Sequence, residues 1–216
     1  QVKPEIGLTF ASGLRSLLRQ DPNIIMVGEI RDKETASLAI NAALTGHLVL
    51  STLHTNSAAG TIPRYIDMGG EPFLLVSTLN VVVAQRLVRK IIGEGEKHFL
   101  TATELKNLGE KADLAKVLEV LKEENMMDKK ITWDKVPFVK PKATEESPTG
   151  YSGRIAIHEV LGVTASIKNL ILKHSTADEI DEQARKEGMF TLMEDGLYRA
   201  ALGHTSIEEV LRVANE

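Results

Sequence analysis

Two short apolar segments, with a helical pattern between them, define the first part of the chain. Ile24–Val27 is entirely apolar and is followed at once by Gly28, which is typical of a strand buried on both faces. A second run of this kind covers residues 47–52. Residues 33–44 carry apolar side chains at helical spacing, and Gly46 is placed to end that helix. The order strand, helix, strand predicts a βαβ unit with parallel strands.

A polar residue follows each predicted strand. Glu29 comes directly after Gly28, and His54 comes shortly after the second strand. Because the carboxyl ends of parallel strands meet at one edge of a sheet, where open α/β sheets bind ligands, we expect both side chains to face one phosphate group. Two plainer interpretations stay open. Glu29 could form a structural ion pair with Arg31 or another arginine, and His54 could be an ordinary histidine at a strand end.

Two neighbouring residues are expected to have other roles. His47 starts the second strand, so it lies roughly 20 Å from His54 at ~3.3 Å per residue. A structural role, or a place at a subunit interface, is therefore favoured for His47 over phosphate binding. Asp32 is the candidate N-cap of the helix that begins at Lys33.

Residues 72–90 are apolar at most positions. Pro72 suits the first turn of a helix, and the residues after it predict one long, deeply packed helix that extends to about Lys90. Arg86 and Arg89 would then lie near the C-terminal end of this helix, where positive charge suits the helix dipole. A contact from these arginines to nucleotide or to a neighbouring subunit is the alternative.

Residues 93–150 have the character of an insertion. Apolar side chains at helical spacing predict one or two helices over residues 103–124. Residues 131–148 are rich in Lys and Pro and contain the single Trp, so they predict either a short strand and turn or a mobile loop.

Residues 151–216 predict a strand followed by helices. The strand covers residues 153–160, and three helices follow over residues 167–173, 178–187 and 192–202. Ser206 and Glu209 have the spacing of a capping box at the start of a last helix.

Composition excludes several classes of protein. The chain is 43% hydrophobic and 26% charged, as is ordinary for globular proteins, and no apolar run approaches the ~20 residues of a membrane span. A net charge of −4 argues against a nucleic-acid-binding surface. Since the chain has no cysteine, it forms no disulfide.

Several ordered motifs together resemble the secretion ATPases that drive type II secretion and type IV pilus assembly. The segment Val27–Asp32 resembles the Walker B element of that family, and Thr45 to Asn56 resembles its His box. The resemblance continues through three further segments, which are Thr9 to Pro22, Gln85-Arg86-Leu87-Val88-Arg89 and Thr149 to Val160. The fold class implied is α/β, with the second half of a RecA-like P-loop ATPase core followed by a mostly α-helical C-terminal region. The expected blocks are residues 1–92, 93–150 and 151–216.

The resemblance implies roles for individual residues. Glu29 is expected to orient or deprotonate the attacking water, and His54 to contact the γ-phosphate of ATP. Gly28 and Arg86 are expected to contribute to nucleotide binding. The cofactors implied are ATP and Mg²⁺, and no residue of this chain is assigned to a metal.

Two motifs expected from the family are not found in the sequence. No G-x-x-x-x-G-K-[ST] phosphate-binding loop is present, and Gln1-Val2-Lys3-Pro4 resembles mid-domain sequence. We therefore expect a C-terminal fragment, with most phosphate and Mg²⁺ ligands upstream of it. Such a fragment is expected not to hydrolyse ATP by itself. The family's four zinc-binding cysteines would fall at Ile92, Gly95, Ala143 and Glu146, none of which is a soft ligand. Residues 93–150 are therefore expected to be a metal-free variant held by packing.

The function expected of the complete protein is that of an ATP-hydrolysing motor for type IV pilus assembly or type II protein secretion. The family implies a homo-hexamer, at the cytoplasmic face of the inner membrane, that acts on a membrane-embedded platform protein without binding nucleic acid. Two alternatives stay open. One is a non-hydrolysing adaptor, against which an intact Glu29 and His54 argue. The other is a pilus retraction ATPase, against which residues 93–150 argue.

Overall fold

The computed structural model describes residues 5, 7, 9–145 and 147–214. The interpretation of Gln1–Pro4 as mid-domain sequence, and that of Glu146 as a lost zinc-ligand position, lie outside these residues. In chain order the elements are α1 (Phe10–Leu18), β1 (Ile24–Val27), α2 (Lys33–Leu44), β2 (Leu48–Ser51), α3 (Thr61–Asp67), α4 (Pro72–Thr78), β3 (Val81–Ile91), β4 (Glu96–His98), α5 (Ala102–Gly109), α6 (Leu114–Glu123), a 3₁₀ turn (Trp133–Lys135), β5 (Phe138–Lys140), β6 (Tyr151–Gly162), α7 (Ala165–Leu172), α8 (Ala177–Lys186), α9 (Leu192–Ala201) and α10 (Ile207–Ala214).

The predicted α/β class is confirmed, and the chain divides into two compact units. The first comprises Gln1–Val82 and Leu161–Glu187, and the second comprises Val83–Val160 and Gly188–Glu216. These units are defined by packing, whereas the predicted blocks 1–92, 93–150 and 151–216 are continuous stretches of sequence. The division into three blocks therefore stays a prediction. Within the described ranges, no helix is long and apolar enough to cross a membrane.

The first unit contains the predicted βαβ arrangement. Strands β1 and β2 are parallel, with Ile24 opposite Leu48 and Val27 opposite Ser51. Asp32 is the N-cap of α2, as expected, because its carboxylate accepts hydrogen bonds from the Thr35 amide at 2.8 Å and hydroxyl at 3.1 Å. These contacts fix where the chain turns after β1 and where the helix between the strands begins.

The prediction that β1 is buried on both faces is wrong for the described chain. Ile25 and Val27 are 5% and 1% exposed, whereas Ile24 and Met26 are 61% and 77% exposed. Side chains alternate between the faces of a strand, so one face of β1 packs on the core of the unit and the other carries uncovered apolar side chains. A run of apolar residues alone does not show how many of its faces are covered.

The predicted helix over residues 72–90 is also wrong, because α4 ends at Thr78 and β3 follows. The run Val81-Val82-Val83 is β-branched, and such side chains lose less rotamer freedom in a strand than in a helix. Val81, Val83 and Leu87 are each more than half exposed, which also contradicts the expectation of deep packing. Arg86 and Arg89 therefore lie on a strand, and the helix-dipole interpretation does not apply to them.

The second unit is built around one apolar core that joins residues 93–150 to the C-terminal helices. Val117, Leu121 and Phe138 share this core with Leu197 of α9 and Val210 of α10. Of the one or two helices expected over residues 103–124, the structure has two, α5 and α6. The region after them forms the short strand β5, which pairs antiparallel with β4. The helices α7 to α10 lie close to their predicted bounds, as does β6.

Glu194 ties two helices of the second unit together. Its side chain is 1% exposed, and its Oε2 accepts a hydrogen bond from the Thr191 amide at 2.9 Å in the capping box of α9. Its Oε1 accepts a hydrogen bond from the amide of Asp113, the N-cap residue of α6, at 3.1 Å. One carboxylate thus satisfies orphan amides at the start of both helices.

Glu209 connects α10 to β3 in a similar way. Its carboxylate accepts hydrogen bonds from the Arg89 amide at 3.0 Å and the Arg89 guanidinium at 2.7 Å. The Arg212 guanidinium donates to it at 2.7 and 3.1 Å. Burial raises the pKa of Glu209, but the hydrogen bonds from Arg212 and Arg89 outweigh burial and lower that pKa to about 2. Ser206 accepts from the Glu209 amide at 3.2 Å, so half of the predicted capping box is present, while the Glu209 carboxylate binds the arginines.

Substitution of Glu194 tests whether this carboxylate holds α6 in place. We expect Glu194→Gln to lower the free energy of unfolding of the second unit by about 2 kcal/mol, because an amide cannot accept both hydrogen bonds in this buried position. The measurement is urea denaturation followed by the fluorescence of Trp133, which is the only Trp and donates to the Leu114 carbonyl at 2.8 Å. The matched control is Glu104→Gln in the exposed capping box of α5, which should lower the free energy of unfolding much less, because water can replace the lost hydrogen bonds there. If both variants lost the same free energy of unfolding, the burial of Glu194 would add nothing to the stabilisation by its hydrogen bonds.

Substitution of Glu209 tests the pH dependence of the second unit. Because the folded pKa of about 2 lies below the ordinary value of 4.5, the stabilisation is fully present above pH ~4.5 and is lost as the pH falls towards ~2. We expect Glu209→Gln to cost about 2 kcal/mol at pH ~7, moderated by the partial exposure of both arginines, and less at pH ~3. Urea denaturation at both pH values, followed by Trp133 fluorescence, measures the gap between parent and variant. A gap that stays constant with pH would contradict the assignment.

Candidate functional site

The candidate site lies just beyond the carboxyl ends of β1 and β2. The pairing of these strands extends past their last residues, because the Ile30 amide donates to the Thr52 carbonyl at 3.0 Å. The Thr52 hydroxyl donates to the Gly28 carbonyl at 2.6 Å. These two hydrogen bonds connect the segments that carry Glu29 and His54, so the positions of both side chains follow from the strand register.

Glu29 and His54 lie at the same sheet edge and are in direct contact, whereas the sequence predicts only that both face one phosphate group. His54 Nε2 lies 2.8 Å from Glu29 Oε2. Arg31 Nη2 lies 2.8 Å from the other oxygen, Oε1. The ion pair with Arg31, which was the plainer interpretation of Glu29, is therefore present together with the histidine contact. The two interpretations do not exclude each other.

Both partners stabilise the ionised form of Glu29. The hydrogen bond from His54 is the main cause that lowers the pKa of Glu29 below its ordinary value, and the hydrogen bond from Arg31 is the next. Within the described chain, the Glu29 side chain is 36% exposed and that of His54 is 80% exposed. A carboxylate with a lowered pKa is a weak base, so it suits orientation of a water molecule better than full removal of its proton.

The arrangement can bind an anionic group beside a water molecule. His54 and Arg31 are exposed donors, and His54 can donate to a phosphate oxygen if it leaves the carboxylate. Glu29 can accept a hydrogen bond from a water beside that phosphate. Phosphoryl transfer to water requires this kind of positioning more than it requires strong acid–base chemistry.

The described part of the chain supplies little for a metal ion. Within it, no three His, Cys, Asp or Glu side chains are grouped so that they could hold one. Asp32, the carboxylate nearest to Glu29 in sequence, is engaged at the start of α2. The residues at hand therefore fit a phosphate group better than a complete Mg²⁺ site.

His47 has local partners rather than a place beside Glu29. Its Nδ1 lies 2.9 Å from the Ala42 carbonyl and 3.1 Å from the Thr45 hydroxyl. Gly46 between them has φ +98°, a left-handed conformation that suits glycine at the end of a helix. These contacts fit the structural role predicted for His47, at the turn between α2 and β2.

The two residues predicted to bind nucleotide differ in position. Gly28 lies directly beside the pair, where its carbonyl accepts the hydrogen bond from Thr52. Arg86 lies on β3, and its Nη1 donates to the Gln85 carbonyl at 3.3 Å. β3 continues from the first compact unit into the second, to which Arg86 belongs. The roles of both residues in nucleotide binding stay predictions.

Sequence reasoning gave no role to Thr52, although it is the residue that connects the two strand ends. Its hydroxyl bond to Gly28 depends on the register of the two strands, which lie 24 residues apart at this point. A threonine at the end of a strand is too common for the sequence to signal such a contact.

Comparison with known proteins gives relatives from secretion and pilus assembly systems. The family profile described as Type II/IV secretion system protein matches residues 1–212. Type II secretion system protein E of Xanthomonas campestris pv. campestris is 48% identical over 217 residues, and the match covers 100% of this chain and 35% of the relative. Type IV pilus assembly ATPase PilB of Thermus thermophilus is 47% identical over 212 residues, with 98% of this chain and 22% of the relative covered. The chain thus spans about a third or less of the length of these relatives.

Solved structures support the fold. The pilus retraction motor PilT with bound ADP matches with a TM-score of 0.60 and 26% identity, over 94% of this chain and 43% of PilT. The Legionella pneumophila ATPase DotB matches with a TM-score of 0.57 and 23% identity, over 94% of this chain and 42% of DotB. Because the family profile covers nearly the whole sequence, the chain belongs to the type II/IV secretion system protein family.

Proposed function

We propose that this chain is part of an ATP-hydrolysing motor that drives type II protein secretion or type IV pilus assembly. The observation that carries the proposal is the contact between Glu29 and His54 at the carboxyl edge of β1 and β2, 2.8 Å apart. Such an edge is where α/β sheets bind their ligands. The relatives named as secretion protein E and PilB support the biological setting.

Each residue of the site has a distinct part in the proposed reaction. The Glu29 carboxylate, whose Oε1 is paired with Arg31, orients the water that attacks the γ-phosphate. His54 donates a hydrogen bond to a γ-phosphate oxygen, where negative charge is concentrated. Thr52 holds the Gly28 carbonyl and thereby fixes the distance between the two segments. Positioning and charge stabilisation of this kind supply most of the catalysis in phosphoryl transfer.

The proposed cofactors are ATP and Mg²⁺. Support for the nucleotide comes from PilT, whose structure contains ADP, and from the anionic fit of His54 and Arg31. Mg²⁺ would neutralise charge on the phosphates of the bound nucleotide. We also propose a homo-hexamer at the cytoplasmic face of the inner membrane, in contact with a membrane-embedded platform protein. The family resemblance alone supports this assembly.

Assembly or secretion is favoured over the two alternatives. The two assembly and secretion relatives named above are 47–48% identical to this chain, whereas the retraction motor PilT is 26% identical. A non-hydrolysing adaptor would not need an ionised Glu29 in contact with His54, so the intact pair argues for hydrolysis.

Substitution of Glu29 tests the proposed function. In the full natural polypeptide that contains this sequence, we expect Glu29→Gln to lower the ATPase rate by about 10²-fold or more while ATP binding is kept, because the amide orients water poorly. The matched control is Glu34→Gln on α2, an exposed carboxylate paired with Arg15 at 3.3 Å, which should leave the rate unchanged. A Glu29→Gln protein as active as the parent would remove Glu29 from the mechanism. A parent that neither binds nor hydrolyses ATP would favour the adaptor.

A further inference from the structure

We propose that the contact between Glu29 and His54 is a partner-exchange switch, in which an arriving γ-phosphate takes His54 away from Glu29. The inference rests on the proposed function and concerns the regulation of the same site. In the arrangement described here, Nε2 of His54 lies 2.8 Å from Oε2 of Glu29, so this nitrogen is engaged before any phosphate arrives. A phosphate that binds through Nε2 therefore competes with the carboxylate.

The geometry around Glu29 makes the exchange selective for one oxygen. Arg31 holds Oε1 at 2.8 Å, and His54 holds Oε2 at 2.8 Å. When His54 moves to a phosphate, Oε2 is freed while Oε1 stays anchored by Arg31. The freed oxygen can then accept a hydrogen bond from water, so the same event that recognises the γ-phosphate prepares the carboxylate to orient the nucleophile.

The exposure of the partners allows this movement. The side chains of His54 and Arg31 are 80% and 72% exposed, so neither is held in place by packing. The main-chain segments beneath them are fixed by the hydrogen bonds of Thr52 and Ile30. Side-chain rotation on a fixed backbone is sufficient for the exchange, and no movement of β1 or β2 is required.

The exchange also explains how ADP and ATP would be distinguished. ADP has no γ-phosphate, so it leaves His54 on Glu29 and both carboxylate oxygens occupied by hydrogen-bond donors. ATP offers His54 another anionic partner. Part of the gain from the new contact is offset by the loss of the old one, and a ligand shifts such an equilibrium only by its difference in affinity for the two states.

A double-mutant cycle on nucleotide preference tests the switch. In the full natural polypeptide, the dissociation constants of ADP and of a non-hydrolysable ATP analogue with an imido-linked γ-phosphate are measured for the parent, Glu29→Gln, His54→Gln and the double variant. The quantity compared is the preference for the analogue over ADP. We expect His54→Gln to lower this preference by about 2-fold in the parent and by about 10-fold in the Glu29→Gln background, where the carboxylate no longer competes for His54.

The cycle separates competition from simple charge effects. Glu29→Gln also removes repulsion between the carboxylate and the γ-phosphate, but that effect is present with and without His54 and cancels. The same cycle on the exposed pair of Arg15 and Glu34, 3.3 Å apart, serves as the control and should leave the preference unchanged. Equal effects of His54→Gln in both backgrounds would overturn the switch and leave the proposed function intact. A parent with no detectable binding of the analogue would overturn both.

Discussion

The parallel pairing of β1 and β2 is the constraint on which the candidate site depends. Each strand has only four residues, yet the register is extended by the bonds from Ile30 and Thr52 across the strand ends. Two side chains from separate parts of the sequence thereby come within hydrogen-bonding distance. A shift of one residue in this register would turn the side chains to the opposite face, and Glu29 and His54 would no longer meet.

In the second unit, residues 93–150 are held by packing against the C-terminal helices. None of the four expected cysteine positions carries a metal ligand of the soft kind, and at Gly95 a side chain would collide with Val139 and the Lys140 carbonyl. An apolar core that includes Phe138 is shared between residues 93–150 and the helices α9 and α10. Two buried carboxylates then fix how these elements are placed against one another, because Glu194 and Glu209 each accept hydrogen bonds from two separate elements.

The sequence predicted what depends on local pattern. The βαβ unit, the cap at Asp32 and the C-terminal helices each follow from periodicity and capping residues within a few positions of one another, and the structure confirms them. The boundary between α4 and β3 was missed, because residues 72–90 are apolar at too many positions for the period to decide. The β-branched run at Val81 was the stronger signal there. Local reasoning assumed two covered faces for β1, although coverage depends on tertiary packing.

The sequence predicted which residues form the candidate site but not the hydrogen bonds between them. That Glu29 and His54 lie at one sheet edge follows from topology, whereas their direct contact, the shared carboxylate with Arg31 and the bond from Thr52 depend on three-dimensional detail. The network around Glu209 was hidden for the same reason, since Arg89 and Glu209 lie 120 residues apart in sequence.

The hydrogen-bonded clusters around Glu209 and Glu29 differ in burial, and this difference suits them to different roles. Glu209 is fully enclosed, and to separate it from Arg89 and Arg212 would leave an unpaired buried charge, which is strongly unfavourable. Such a cluster holds elements together. The Glu29 side chain is 36% exposed and that of His54 is 80% exposed, so their contact is of the exposed kind that contributes little to stability. A strong, buried pair between Glu29 and His54 would resist the γ-phosphate, so the weakness of this contact is the property that an exchangeable site requires.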